Sequence, residues 1–522
     1  MRRRAVGSFV LSLAASIFVA CGDPALEPPP DSPETLESAY QGLVIPERAL
    51  AVTDKQILEP FTLERVMQQI VTTSGVSGVT ALQLFQQWWD TQNPGPGLGL
   101  GPHCDDEIVP PGVPGLNGYP WECPRGEGYQ ATVDPFAGRS NQHLYMPIGL
   151  FNRFDLAPAN GAHCGEYRIA FAMRPGHPEA FGRNLLIFEA VLPNPNPSLG
   201  LMGCYPVAQF WYDLSFENDA GVRQKLLYEF YFKGLPGFPP VVHADHYGTH
   251  LGGEGYGCST GQVRTNQFVG GDWNLREFRI VKDCRCKNCF LVFAPTTTKD
   301  NPFGPLFQSG SPHPDALALQ SLVVGSVGSL GNGGVNDLRW SVPNKLNTGE
   351  SVSVMGGPYD YLHHFNTSLN PNFWIDIDNA ITSTWGAGTF LPEQIVTRAQ
   401  TQSCSGCHHT TNFADIGPGS PWPPSIDFVH VDEFSPGPAF DLSQAMLNHF
   451  LPHRAQILEN FVLSGGTITP NNPDCRIPIP NPLVVDCKTD AARKVTLRSF
   501  SAEGLELLKP RLPESLGGAR VH

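Results

Sequence analysis

The chain has 522 residues, of which only 16% are charged, against roughly 25% in an average soluble protein. Its 54 glycines and 50 prolines make up about a fifth of it, a composition that excludes long helical bundles and coiled coils but, with 41% hydrophobic residues, still permits real cores. A formal net charge of −15 excludes a broad nucleic-acid surface.

Met1-Arg2-Arg3-Arg4 followed by the mostly apolar run Ser8–Ala20 has the proportions of an export signal and is too short to span a bilayer. The run ends Phe18-Val19-Ala20-Cys21, which resembles a bacterial lipoprotein lipobox. That resemblance implies cleavage after residue 20, acylation of Cys21, and a chain held to a membrane by lipid in the bacterial cell envelope, on its periplasmic or outer-membrane face. Residues 21–48, with Glu27-Pro28-Pro29-Pro30, read as a semi-extended tether.

Residues 49–138 divide into a helical part and a Gly/Pro-rich loop. Thr53-Asp54 caps a helix at Lys55; Phe61, Leu63, Val66, Met67 and Ile70 approximate helical spacing, and a second helix carries Leu82, Leu84, Phe85, Trp88 and Trp89. This aromatic cluster is read as core. From 139 to 300 the pattern turns to strands: Tyr167–Met173, Leu185–Val191, Ala208–Tyr212, Glu277–Val281 and Phe290–Phe293. Gln224–Phe232 fits a helix or a strand. A central antiparallel, sandwich-like domain is the expectation. Residues 301–389 mix a helix over Ala316–Gly325 with a strand over Phe373–Ile377, which would place Asp376 and Asp378 on one solvated face rather than on calcium. The fold class is therefore α+β and multidomain: N-terminal helices, a β-rich centre and a mainly helical C-terminal unit.

That last unit, 390–466, carries the chemistry. Cys404-Ser405-Gly406-Cys407-His408 is the C-x-x-C-H pattern of covalent haem attachment, in which two thiols bond one porphyrin edge and the adjacent imidazole ligates iron. Pro392 to Ala399 reads as a helix running into the motif. Asp441-Leu442-Ser443-Gln444 reads as a helix start, with Leu442, Ala445, Met446, His449 and Phe450 on one face and Pro452 kinking or ending it. Helix, motif, Gly/Pro-rich loop and closing helix together resemble a class I cytochrome c domain. The resemblance implies one covalent haem c, with Cys404 and Cys407 as attachment points and His408 as proximal ligand. Met446 is the leading distal ligand, with His430, His449, His453 and an open position as alternatives.

Thirteen cysteines sort around this reading. Setting aside Cys21, Cys404 and Cys407 leaves ten, an even number suited to disulfides in an oxidising compartment. Cys104 with Cys123, and Cys475 with Cys487 in the Pro-rich loop and tail of 467–522, are the expected staples. Cys258 with Cys284, Cys286 and Cys289 is read as two disulfides in preference to a zinc knot. His243, His246 and His250 are spaced closely enough for a metal, but the Pro- and Gly-rich setting favours a loop.

The functional expectation is a lipid-anchored monohaem c-type cytochrome that transfers electrons to a redox partner, a basic one given the acidic chain. One alternative is an exported haem-dependent oxidase, oxygenase or peroxidase that binds substrate on the β-rich domain. The other is a surface-binding lipoprotein whose C-x-x-C is a disulfide.

Overall fold

The computed structural model describes residues 44–99, 101–248, 260–269, 272–283, 289–419 and 421–475. The export signal, Cys21, most of the tether, His250, Cys258, Cys284, Cys286 and Cys487 lie outside the described residues. No described helix is long and apolar enough to cross a membrane.

The architecture is mixed α and β around one antiparallel sheet of eight strands. These are β1 (Ala51–Val52), β2 (Tyr145–Arg153), β3 (His163–Met173), β4 (Asn184–Pro193), β5 (Gln262–Gln267), β6 (Asn274–Asp283), β7 (Phe290–Thr296) and β8 (Glu350–Val352). Strands β1 to β7 are neighbours in chain order, and β8 pairs with Asn274–Arg276 of β6.

The period-two alternation of a strand explains how this sheet is covered on both faces. Tyr167, Ile169 and Phe171 of β3, Leu186, Phe188 and Ala190 of β4, and Phe278 and Ile280 of β6 belong to one apolar core. Helices α1 (Leu63–Ser74), α2 (Ala81–Asp90), α3 (Tyr205–Leu214) and α4 (Ala220–Phe232) pack on that face. Trp88 stacks on Phe293 at 4.5 Å and meets Phe188 and Phe278 edge-on, while Trp211 stacks on Tyr167. The intervening residues Glu166, Arg168, Ala170, Leu185, Ile187 and Arg264 face the other way, into a cavity.

A second core gathers α5 (Ala316–Gly325), α6 (Asn372–Thr384) and α7 (Pro392–Thr401) around Phe307, Trp340 and Tyr361. The last helix, α8 (Leu451–Leu463), joins the first core instead, through Leu451, Leu458 and Phe461. Residues 390–466 thus begin in one core and end in the other, within a single compact unit that starts at Gly42.

Several local expectations are corrected. The central region is one sheet covered by helices, not two sheets face to face. Ala208–Tyr212 lies in α3: Pro206 sits in its first turn, and buried Val207, Trp211 and Leu214 follow helical spacing that a five-residue aromatic run conceals. Phe373–Ile377 lies in α6, where Phe373, Ile377 and Ile381 are buried at four-residue spacing, so Asp376 and Asp378 do not share a strand face. Gln224–Phe232 is helical, capped by Asp219. Asp441–Leu442 forms a short strand with Val431–Asp432. The cap falls to Ser443, whose hydroxyl accepts from the Met446 N–H at 3.2 Å. Pro452 does not end the helix: it lies in the first turn of α8, directly after a wide turn at Met446–Phe450, where a missing N–H is tolerated.

Two predictions follow from this packing. Trp88→Ala should cost about 3–5 kcal/mol in urea unfolding, because it empties the aromatic centre of the first core. His103 offers a pH-dependent test. Burial disfavours its charge, but its hydrogen bond to Asp90 at 3.2 Å and the charges of Asp90, Asp106 and Asp105 outweigh that and raise its pKa. A folded pKa above the unfolded 6.5 gives stability that is complete below pH 6.5 and lost as pH rises through the folded value. The stability gap between wild type and His103→Gln should therefore narrow on going from pH 6 toward alkaline pH.

Candidate functional site

Helix α7 delivers the motif. Arg398, 1% exposed, ties the helix down by donating to the carbonyls of Leu330, at 2.9 Å, and Ile416. After the helix, Gly406–Thr410 forms a wide turn that carries Cys407 and His408. Gly406 is required there, since a Cβ at that position would lie 1.8 Å from the Gln400 carbonyl oxygen. Strand β8 and the residue after it grip the same turn. The Ser351 hydroxyl accepts from the Ser405 N–H at 2.9 Å, and Ser353 Oγ meets His409 Nδ1 at 2.7 Å.

The imidazole of His408 is held in one tautomer. Its Nδ1–H donates to the Phe428 carbonyl at 2.9 Å, which leaves the Nε2 lone pair as the ring's remaining donor to a metal. Burial, only partly offset by that hydrogen bond, pushes its pKa down to about 4, so the ring is neutral at physiological pH. Trp273 stacks on it at 5.4 Å.

Cys404 and Cys407 are free thiols, whereas Cys104 is bonded to Cys123, Cys164 to Cys204, and Cys289 and Cys475 are disulfide-bonded as well. Burial pushes Cys404 up to about 12 and Cys407 up to about 11. Arg264 pulls the first back partway, and Arg454 and Arg153 do so for the second. These arginines and the two thiols line one cavity of about 660 Å³, within the size range of cofactor pockets.

The cavity brings Cys404, Cys407, His408, His430, Met446 and His453 to one space. His430 presents Nε2 to Cys407 Sγ at 3.5 Å and is held through Nδ1 by Ser443 Oγ at 2.8 Å. Met446 is 6% exposed, with its sulfur 3.9 Å from Arg454 Nη1. His449 does not line the cavity; its backbone carbonyl accepts from Asn336 Nδ2.

Away from the cavity, the rings of His243 and His246 lie tilted against each other with centroids 5.0 Å apart. His246 Nδ1 lies 3.0 Å from the Val241 carbonyl, and His243 Nδ1 accepts from the Asp245 N–H. Among the described residues no group of three or more His, Cys, Asp or Glu side chains is poised around a metal ion.

The wall facing the motif was not singled out by sequence reasoning. Arg168 meets Glu166 at 2.6 Å and Glu189 at 2.9 Å, and Arg264 meets Glu189 at 3.3 Å and Glu277 at 2.9 Å. Arg153 chelates Asp155, whose pKa falls to about 2 because Arg153 and Arg454 overcome the cost of burial. The charges balance across the strands, yet the buried Nε of Arg168 has no hydrogen-bond partner. The available signal was the alternation in β3, where Glu166 and Arg168 interrupt an otherwise apolar run at a spacing of two.

No family model, curated protein or solved structure matches this chain.

The thiols provide a direct check on the geometry. In the unmodified chain with its disulfides intact, Cys404 and Cys407 should alkylate slowly at pH 8. Gly406→Ala, which forces the turn away from Gln400, should speed that reaction by about tenfold or more. A rate equal to wild type would mean the turn is not constrained as described.

Proposed function

We propose that the chain is an exported, lipid-anchored monohaem c-type cytochrome that transfers electrons at the bacterial cell envelope. The carrying observation is the pair of free, half-buried thiols on the wall of a cofactor-sized cavity beside an imidazole whose tautomer leaves Nε2 available. The residues present fit haem c: Cys404 and Cys407 would hold it through thioethers, and His408 would ligate the iron. When bound, the group supplies reversible one-electron chemistry. Around it, the Phe428 carbonyl orients the His408 imidazole, Met446, His430 and His453 are the other cavity side chains that would be available to the iron, and apolar Phe151, Ile187 and Leu185 line the same space.

A second reading, a haem-dependent redox enzyme, is favoured by one observation. Glu166, Arg168, Gln262 and Arg264 place a polar, ion-paired surface in the same cavity, which a plain electron carrier does not require and a substrate can use.

Matured in a host that attaches haem c, the chain should gain about 616 Da over its disulfide-bonded polypeptide mass. Cys404→Ser with Cys407→Ser should abolish that gain while the polypeptide still folds. An unmodified wild-type mass would contradict the haem reading and leave the dithiol alternative.

A further inference from the structure

We infer that the rings of Phe428 and Trp273 are the electron route between the cofactor site and the protein surface, an inference that rests on the haem reading above. Ile426 and Val429 exchange both backbone hydrogen bonds, 2.7 and 2.8 Å, so Asp427 and Phe428 are the two central residues of a tight hairpin turn. Both have positive φ, 38° and 73°. A two-residue turn of that kind is ordinarily built from Asn-Gly or Asp-Gly. A phenylalanine held there is strained, and such strain persists where the surroundings or function demand it.

What the position achieves is visible in its neighbours. The Phe428 carbonyl receives the His408 Nδ1–H, and its ring stacks on Trp273 at 6.2 Å and 19° and lies tilted by 30° against His409 at 4.0 Å. Trp273 in turn stacks on His408 at 5.4 Å. The proximal imidazole is thus joined to one aromatic pair twice, through a hydrogen bond and through a face. Trp273 is 2% exposed and is not part of the cavity wall, so it stands behind His408. Phe428 is half-buried and lies beside exposed Asp427. From Phe428 the contacts continue to Phe268 at 5.4 Å, to the Arg183 guanidinium over that ring at 5.3 Å, and to Phe434, which Arg183 also covers at 5.3 Å and which is 57% exposed.

The step is an outer-sphere transfer. One electron leaves the reduced cofactor and reduces an external one-electron acceptor; no bond forms or breaks and no proton moves. The rings carry the coupling between His408 and the surface without being oxidised themselves.

The turn supplies a clean variant. Phe428→Gly keeps the backbone carbonyl that orients His408 and places at φ 73° the residue that favours it, so it removes the ring while relieving strain. The full chain, matured with covalent haem and reduced, is mixed in stopped flow with hexaammineruthenium(III). Phe428→Gly and Trp273→Leu should each slow oxidation by about tenfold, with Trp273→Phe close to wild type, and with the optical spectrum and midpoint potential of Phe428→Gly unchanged. In the haem-free chain, the His408 ring protons should lose their ring-current shift in Trp273→Leu and keep it in Phe428→Gly. Wild-type oxidation rates in both ring deletions, with haem attached, overturn the route alone. A slowed Phe428→Gly whose potential has moved overturns it too, since the ring would then act on the iron ligand rather than carry the electron. A chain with no Soret band contradicts the haem reading itself, and the route falls with it.

Discussion

The hydrogen bond from His408 Nδ1 to the Phe428 carbonyl ties three things together. It selects the tautomer that leaves the Nε2 lone pair free, it fixes the plane in which the ring stacks on Trp273, and it makes the hairpin turn at Asp427–Phe428 part of the site. Burial keeps the imidazole neutral, so the bond is between neutral partners and depends on the geometry of the surrounding cores. Remove the turn and His408 keeps its position in the chain but loses its orientation.

That geometry comes from the sheet. Its strands alternate so that one face disappears under α1 to α4 while the other meets the motif across a cavity. The motif cannot drift, because α7 is rooted in the core around Phe307 and Tyr361, and α8 in the core around Trp88 and Phe278. The charged residues of the second face are ion-paired strand to strand, which lets arginines stand in a buried setting next to two neutral thiols. The C-x-x-C-H segment is therefore a covering layer of a larger body, and the β-rich region supplies the charged part of the site's wall, with Glu166, Arg168 and Arg264.

Much of this was legible in the sequence where the pattern was long or chemically specific. The run Tyr167–Met173 announced its strand by period two, and the spacing through Met67 and Ile70 its helix. Short aromatic runs misled: Phe210-Trp211-Tyr212 and Phe373-Trp374-Ile375 have strand-like composition, and only their tertiary burial at four-residue spacing makes them helical. The opposite wall was illegible for a different reason. Arg264 lies 140 residues before Cys404, and no local rule connects them. Phe428 was hidden more deeply, because a turn of that kind is recognised by glycine, which the sequence does not place there.

The most direct test of the account is an optical spectrum of the full chain, made in a host competent for c-type maturation, oxidised and reduced, with and without carbon monoxide. The account predicts a Soret band and a sharp reduced α band at about 550 nm that carbon monoxide does not shift, as for a closed electron carrier. A high-spin spectrum that binds carbon monoxide would contradict the carrier and favour catalysis against the charged sheet face. The absence of any Soret band would contradict the haem site altogether.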